Sequence, residues 1–377
     1  MQIDIVMISK LGNGDGGRET WLKNFLLETS RKNIDCVFNL LTLRKAEDNV
    51  LQCLGDNNML GAQLEFDTKS KFLPTSLAFF IKFIFSLLLK KKPADFVIGV
   101  GGLAEAMAIV MCYFWPTFKG KRILWLRTIY TKEKGYRLNK FSQKILLALE
   151  IFIIKKFFTV VIANGEDTAQ FYRAHGIECT VINNAVNLNV WTNLQKSPAP
   201  RFRVAFVGRL SAVKGIEAFL ESIEIFTRKN PYHEIEFHVV GAGPFEDQVQ
   251  SLQRRGLLQY HGMLANNLIP EFLTNTDCCV ALTYLKDFMG GGGVSNALIE
   301  QMAAEQVIIA WNNDIFNKVL THKTAYLVEQ DDIEGLANSY TAILNNIETA
   351  QVKAVAARNE SKNFSISKHV DLFFKAI

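Results

Sequence analysis

No repeat, low-complexity tract or long disordered tail interrupts the 377 residues of this chain, so nothing in it points to a solenoid or a fibrous scaffold. Its six cysteines (Cys36, Cys53, Cys112, Cys179, Cys278 and Cys279) form no C-x-x-C pair, and several sit in apolar runs such as "DCCVALT". Metal and disulfide frameworks are thereby disfavoured. Buried free thiols in a reducing, cytoplasmic compartment are the expectation. The first residues, "MQIDIVMIS", lack a basic region and pass directly into polar "KLGNGDGGRE", which reads as a first strand and not as a signal peptide. Long uncharged runs are missing as well. "KSKFLPTSLAFFIKFIFSLLLKKK" (69–92) and "LNKFSQKILLALEIFIIKK" are helix-length and apolar, but the segments between Pro74, Lys82 and Lys90 fall well below the roughly 18 residues of a membrane span.

Proline is scarce, eight in all, and two of the eight cluster in "LQKSPAPRF". With 49% hydrophobic residues, the chain exceeds what one core of ordinary size holds, and this cluster marks the linker between two domains. Charge divides at the same place. Residues 1–195 hold 25 Lys and Arg against 17 Asp and Glu, and residues 196–377 hold 17 against 20, so one half is near +8 and the other near −3. The basic half carries no nucleic-acid-binding motif, and no nucleic-acid partner is expected.

What is present is an alternation, found on both sides of the linker. "IDIVMIS", "IDCVFNLLT", "DFVIGV", "RILWLR" and "FTVVIAN" in the first half, and "FRVAFVG", "IEFHVVG", "DCCVALT", "QVIIAW" and "TAYLVE" in the second, are short β-rich runs of the kind buried on both faces of a parallel sheet. Helical patterns such as "GRETWLKNFLLETSRK" and "GIEAFLESIEIFTRK" separate them. Two doubly wound α/β domains follow, and such sheets bind ligands beyond the carboxyl ends of their strands, so two facing domains would enclose a cleft.

The strand ends carry the candidate chemistry. After the first strand, "KLGNGDGGRET" opens a helix at Gly16 and Gly17, where backbone N–H groups can approach an anion; a plain tight turn reads the same way, and the spacing is not the G-x-G-x-x-G of a dinucleotide site. The first strand of the second half ends in "VGRLSAVKGIEAFL", with Gly208 and Arg209 at its tip and Lys214 before the next helix. A planar fork and a point charge near a helix N-terminus suit a pyrophosphate, although the pair alone could equally be two solvated cations. Further on, "DFMGGGGVSNALIEQMAA" sets Gly290, Gly291, Gly292 and Gly293 between a strand and a helix, followed by Val294, Ser295 and Asn296. Glycine there lets amides reach a polar ligand without a Cβ in the way. Glu300, two turns on, could accept hydrogen bonds from two vicinal hydroxyls such as a ribose presents, or could simply face solvent.

At this point the chain resembles a known group: the retaining family-four glycosyltransferases, with GT-B architecture. "VGRLSAVKGIEAFLESI" looks like that family's G-R-L-x-x-x-K-G segment, "VVGAGPFEDQVQSL" (Gly241, Gly243) like its G-x-G-P turn, and "QYHGML" (His261, Gly262, Met263) like the strand and loop beside the base. "GGGGVSNALIEQMAAEQVIIAW" is similar to the segment E-G-x-x-N-x-x-x-E-x-M-A, with Gly292 in place of the first glutamate and Asp287 the nearest acidic residue. "VIANGEDTAQFYRAHGI" and "VINNAVNLNVW" resemble the end of its acceptor domain, with Asn184 matching. The histidine that the family often carries after the "RILWLR" strand is not there, and Arg127 or Tyr130 stands on that ground, with Arg18 a third acceptor-side candidate.

The resemblance implies an acceptor domain at 1–195, completed by a C-terminal helix at 362–377, and a nucleotide-sugar domain at 196–361. It implies a retaining transfer from a UDP- or GDP-sugar to a glycan or lipid-linked saccharide in bacterial surface polysaccharide synthesis, with no metal and no cofactor beyond the co-substrate. Arg209 and Lys214 are the catalytic candidates. The basic, aromatic surface of the first half is expected to allow peripheral contact with the anionic inner face of the cytoplasmic membrane. Two rivals remain at this stage: a non-catalytic nucleotide-sugar-binding partner subunit, which Gly292 would suit, and a nicotinamide-dependent oxidoreductase, which should show the dinucleotide fingerprint.

Overall fold

The computed structural model describes residues 1–7, 17–42, 60–65, 94–113, 118–133, 138–191, 201–285 and 294–377. It divides into two compact units. One takes in Met1–Ala185 and the terminal Ile366–Ile377; the other takes in Val186–Asp287 and Val294–Ser365.

The first unit is built on β1 (Gln2–Met7), β2 (Val37–Thr42), β3 (Leu60–Glu65), β4 (Phe96–Gly101), β5 (Lys121–Leu126), β6 (Val160–Ala163) and β7 (Thr180–Val181). Among the described residues these form one sheet in the order β3-β2-β1-β4-β5-β6-β7, parallel throughout. Helices α1 (Gly17–Arg31), α2 (Leu103–Tyr113), α3 (Tyr130–Glu133), α4 (Lys140–Phe157) and α5 (Glu166–Ala174) fall between the strands. The central strands are apolar without alternation because both faces are covered: Ile3, Ile5 and Ile123 belong to one buried cluster, Val6, Leu124 and Leu126 to another. Asp4 is the exception in β1. It is fully buried, and its carboxyl group accepts from Asn39 Nδ2 and from the Tyr113 hydroxyl, each at 2.5 Å, as a buried polar group requires.

The second unit repeats the plan with β8 (Phe202–Val207), β9 (Ile235–Val240), β10 (Gln259–Tyr260), β11 (Cys278–Ala281), β12 (Val307–Asn312) and β13 (Tyr326–Glu329), ordered β10-β9-β8-β11-β12-β13 and again parallel. Its helices are α6 (Ile216–Lys229), α7 (Glu246–Arg254), α8 (Ile269–Thr274), α9 (Asn296–Ala303), α10 (Ile333–Asn345) and α11 (Ile347–Ser361). Phe219, Phe226, Phe237 and Tyr340 join α6, β9 and α10 in one aromatic core. In both sheets the strand order reverses between the unit's first and fourth strands, which is the switch point where ligands collect in doubly wound folds.

The second unit starts at Val186, ahead of the position 196 suggested by the prolines, because Val186 donates its N–H to Phe364 O (3.0 Å) and bridges Ser365. Entry and exit strands of the unit are thus tied together. Beyond them α12 (Ile366–Ala376) returns to the first unit and packs on α1. Trp21 Nε1 donates to His369 Nε2 (2.8 Å), and because indole can only donate, His369 carries its proton on Nδ1 and gives it to Asn183 O (2.8 Å). Trp125 stacks on both His369 and Phe373. Burial, followed by the nearby Arg127 charge, pushes the His369 imidazolium down to about 3, so it is neutral at physiological pH.

Candidate functional site

In the second unit the loops at the carboxyl edge are laced to one another. Gly208 N–H donates to Val240 O (3.0 Å), Leu210 N–H to Ala242 O (3.0 Å) and Gly241 N–H to Gly262 O (2.8 Å), which joins the turns after β8, β9 and β10. Gly241 has φ +144°, and a Cβ there would stand 1.8 Å from Gly208 O, so no other residue allows this approach. Gly215 (φ +77°) serves the next pair of loops: a Cβ would meet Leu282 O at 2.3 Å. Tyr284 N–H reaches Val213 O (2.9 Å), and Asn313 Nδ2 donates to Thr283 O (3.1 Å) and to Gln330 Oε1 (2.9 Å). Thr283, Asn313 and Gln330 belong to no motif in the sequence. Each is a polar residue within two positions of an apolar strand's end, which is the signal that could have found them.

On this edge stand the two cations. Arg209 is exposed and its guanidinium has no hydrogen-bond or ion-pair partner among the described residues; Lys214 is half-buried and its ammonium donates to Thr283 Oγ1 at 3.4 Å. Burial lowers the Lys214 pKa below the usual lysine range, and the charge of Arg209 lowers it further. The two positive groups are therefore close enough to oppose each other. Gly208, Arg209, Lys214, Gly241 and Gly243 all lie on this edge, the first three after β8 and the last two after β9.

His261, Gly262 and Met263 follow β10. Met263 is exposed, and the His261 ring stacks on His238 (centroids 5.2 Å apart, nitrogens 2.9 Å apart), with Phe272 edge-on to both. Burial lowers both imidazoles, His238 to about 4. His238 was missed because it sits inside the apolar run of β9.

Val294 is buried and Ser295 caps α9, its hydroxyl accepting from Leu298 N–H at 3.2 Å. Asn296 begins the helix, half-buried. Glu300 lies on the same helix, whose Leu298, Ile299 and Met302 are in the core. Its carboxylate is half-buried with no partner among the described residues, and burial pushes it up to about 7. Gly16 and Gly290 to Gly293 lie outside the described residues, as does Asp287, so the expectations attached to the four glycines are not addressed there. Gly17 is the first residue of α1 and Arg18 falls in its first turn; the side chain of Arg18 is likewise outside them.

The first unit has a polar edge of its own. Arg127 follows β5, with its N–H on Gly101 O (2.9 Å) and its own carbonyl accepting from Asn164 Nδ2 (3.1 Å). Its guanidinium lies over the Trp21 ring (4.5 Å) and donates to Asn184 Oδ1 (2.6 Å). Tyr130 opens α3 and packs over Gly102, half-buried. Next to it the Glu105 carboxylate accepts Gly102 N–H (3.0 Å). Arg127, Asn184 and Tyr130 thus share the carboxyl edge of this sheet. Among the described residues no group of three His, Cys, Asp or Glu side chains is arranged to hold a metal, and no helix is long and apolar enough to cross a membrane.

Residues 201–346 match the family model described as Glycosyl transferases group 1. Among solved structures, the chain is similar to HepE of Anabaena in complex with UDP-glucose (16% identity, all of both chains covered, TM-score 0.71). It is also similar to sucrose-phosphate synthase of Thermosynechococcus elongatus (14% identity, 100% of this chain and 98% of that one, TM-score 0.72). A third is the apo lipopolysaccharide outer core galactosyltransferase WaaB (16% identity, 100% and 99% covered, TM-score 0.68). No curated protein matches the sequence. At such identities the likeness is one of fold, and together with two parallel sheets of the same strand order it defines a two-domain, Rossmann-like GT-B protein. The chain thus has the GT-B fold, and the segment that matches the group 1 model lies in its second unit.

Proposed function

We propose that this protein is a retaining glycosyltransferase that moves a sugar from a UDP- or GDP-sugar to a glycan or lipid-linked saccharide in bacterial surface polysaccharide or glycoconjugate synthesis. The group 1 match and the likeness to structures holding UDP-glucose support use of a nucleotide sugar. One observation carries the reading: Arg209 and Lys214 oppose each other on the β8 edge, and burial already disfavours the lysine's charge. A diphosphate bound there relieves both costs, so its binding raises the Lys214 pKa.

In the reaction, the bond between the anomeric carbon and the donor phosphate oxygen breaks while the acceptor hydroxyl attacks the same face. The hydroxyl proton passes to the leaving phosphate, whose growing charge Arg209 and Lys214 stabilise. Glu300 accepts from the ribose hydroxyls, which favours its ionised form. The loop of His261, Gly262 and Met263 lies beside the base, Val294, Ser295 and Asn296 stand by the sugar, and Arg127, Tyr130 and Arg18 belong to the acceptor side. Positive charge for the leaving group comes from side chains in this scheme, so chelators should leave transfer unchanged. The protein works in the cytoplasm, peripherally on the inner face of the membrane where a lipid-linked acceptor is presented.

The test is incubation of the full chain with a panel of nucleotide sugars, following thermal shift, nucleoside diphosphate release and the anomeric configuration of the product by NMR. Product of inverted configuration would refute the retaining mechanism. Donor binding without release or transfer, across acceptors, would instead make the chain a binding partner subunit.

A further inference from the structure

Helix α4 is apolar on two opposite sides. Its inner side buries Ile153 and Ile154 in the core of the first unit, and Glu150 beside them accepts from the Tyr172 hydroxyl (2.7 Å) and from Thr131. Its outer side carries Phe141, Ile145, Leu149 and Phe152, at steps of three and four residues, which places them in one line along the helix. These side chains are open: Phe141 is 73% exposed, Phe152 59% and Ile145 54%. Leu138, just before the helix, is exposed too. Single exposed apolar residues are ordinary on a soluble surface, whereas an aligned row of them marks a contact face.

The exposed charges on α4 itself are of one sign. Lys140, Lys144, Lys155 and Lys156 are all exposed, while the one carboxylate in the helix, Glu150, is buried on the other side. We propose that this outer face of α4 docks the protein on an anionic lipid surface, with the helix lying in the plane of the interface, Phe141, Ile145, Leu149 and Phe152 entering the headgroup region and the lysines meeting lipid phosphates. The proposal names the surface behind the membrane contact in the function proposed above, and rests on that reading for its purpose but not for its chemistry. Charge complementarity selects the occupant. A second copy of the chain would set the four lysines of one α4 against the four of the other, with no exposed carboxylate on either helix to separate them. At 18 residues the helix is about 27 Å long, enough to lie along a membrane surface, and its buried inner side keeps it from spanning one.

Flotation of the full chain with phosphatidylcholine vesicles, with and without phosphatidylglycerol, tests this. Wild type should float with the anionic vesicles, stay behind with the neutral ones, and lose binding as salt rises. Phe141→Ser with Phe152→Ser should lower partitioning at least tenfold, and Lys144→Gln or Lys156→Gln about fivefold each. All of these positions are exposed, so the variants should melt at the wild-type temperature, which is checked alongside. Wild type that ignores anionic vesicles, or a double Phe variant that binds them equally well, overturns the proposal. So does a dimer in analytical ultracentrifugation that Phe141→Ser dissociates, since a second copy would then own the face. Flotation needs no sugar transfer: a chain that binds vesicles but no nucleotide sugar sinks the proposed reaction and leaves this face standing, and an active chain indifferent to lipid does the reverse.

Discussion

The two sheets share a strand order but equip their carboxyl edges in opposite ways. In the second unit the polar groups are left in tension, with Arg209 and Lys214 opposed and the Glu300 carboxylate half-buried without a partner among the described residues. In the first unit the main cation is already accommodated, since Arg127 lies on Trp21, donates to Asn184 and stands by a neutral His369 on the returning helix. An edge under electrostatic tension gains most when a charged ligand arrives. A satisfied edge is a preformed platform whose residues matter to stability as well as to binding.

The largest expected difference is catalytic. Arg209→Ala and Lys214→Ala should each lower transfer on the order of 100- to 1,000-fold with the circular dichroism spectrum unchanged, because each removes charge that meets the departing phosphate. Arg127→Ala should cost less rate and should also lower the melting temperature. Equal rate losses with no stability change for Arg127→Ala would erase the distinction between the edges.

Next comes the packing of the returning helix. His369→Ala leaves the Trp21 indole N–H without its acceptor and opens the stack beneath Trp125, so it should cost about 2–4 kcal/mol in denaturant unfolding. The pH dependence follows from a folded-state pKa depressed to about 3. The unfolded chain takes up a proton near pH 6.5 that the native state refuses, so this contribution to stability is lost as pH falls from 6.5 towards 3. His369→Gln should flatten that slope.

Glu300 should give the opposite sign. Its pKa is held up to about 7, so the native state binds the proton more tightly than the unfolded chain, and stability is lost as pH rises from about 4.5 to 7. Glu300→Gln should therefore melt higher than wild type at pH 8 and alike at pH 4, while weakening nucleoside diphosphate binding by about 1.5–3 kcal/mol in calorimetry. A variant less stable at pH 8, with unchanged affinity, would return Glu300 to a structural role.

The smallest effect is expected at Lys32, whose ion pair with Asp371 (2.6 Å) also joins α1 to α12. Asp371 is largely exposed, so Lys32→Ala should cost no more than about 1 kcal/mol. A loss comparable with that of His369→Ala would mean that charge, and not aromatic packing, holds the C-terminal helix.

How much could be read beforehand also differs between the units. Five of the six strands of the second were legible as apolar runs, and its edge residues follow them within a few positions, so Arg209 and Lys214 could be named from local order, and Gly241 and Gly243 from the resemblance to a family turn. β3, by contrast, was not among the strands read from the first half, since "LGAQLE" has neither a continuous apolar run nor a strict alternation. Nor could the setting of Arg127 be read: Trp21 and His369 stand 348 residues apart and meet only because the chain leaves the second unit at Ser365 and comes back.

By itself, the sequence determined what depends on neighbours along the chain: that two parallel α/β sheets form, because both-face burial demands apolar runs, and that glycines and cations gather just past the strand ends of the second. Tertiary structure decided what depends on distance in space. It set the unit boundary at Val186, because that residue pairs with Phe364 and Ser365. It joined Thr283, Asn313 and Gln330 from three separate strand ends, and raised the Glu300 pKa by burying the carboxylate. Desolvation and opposing charge are properties of an assembled environment, and a linear pattern carries no measure of either.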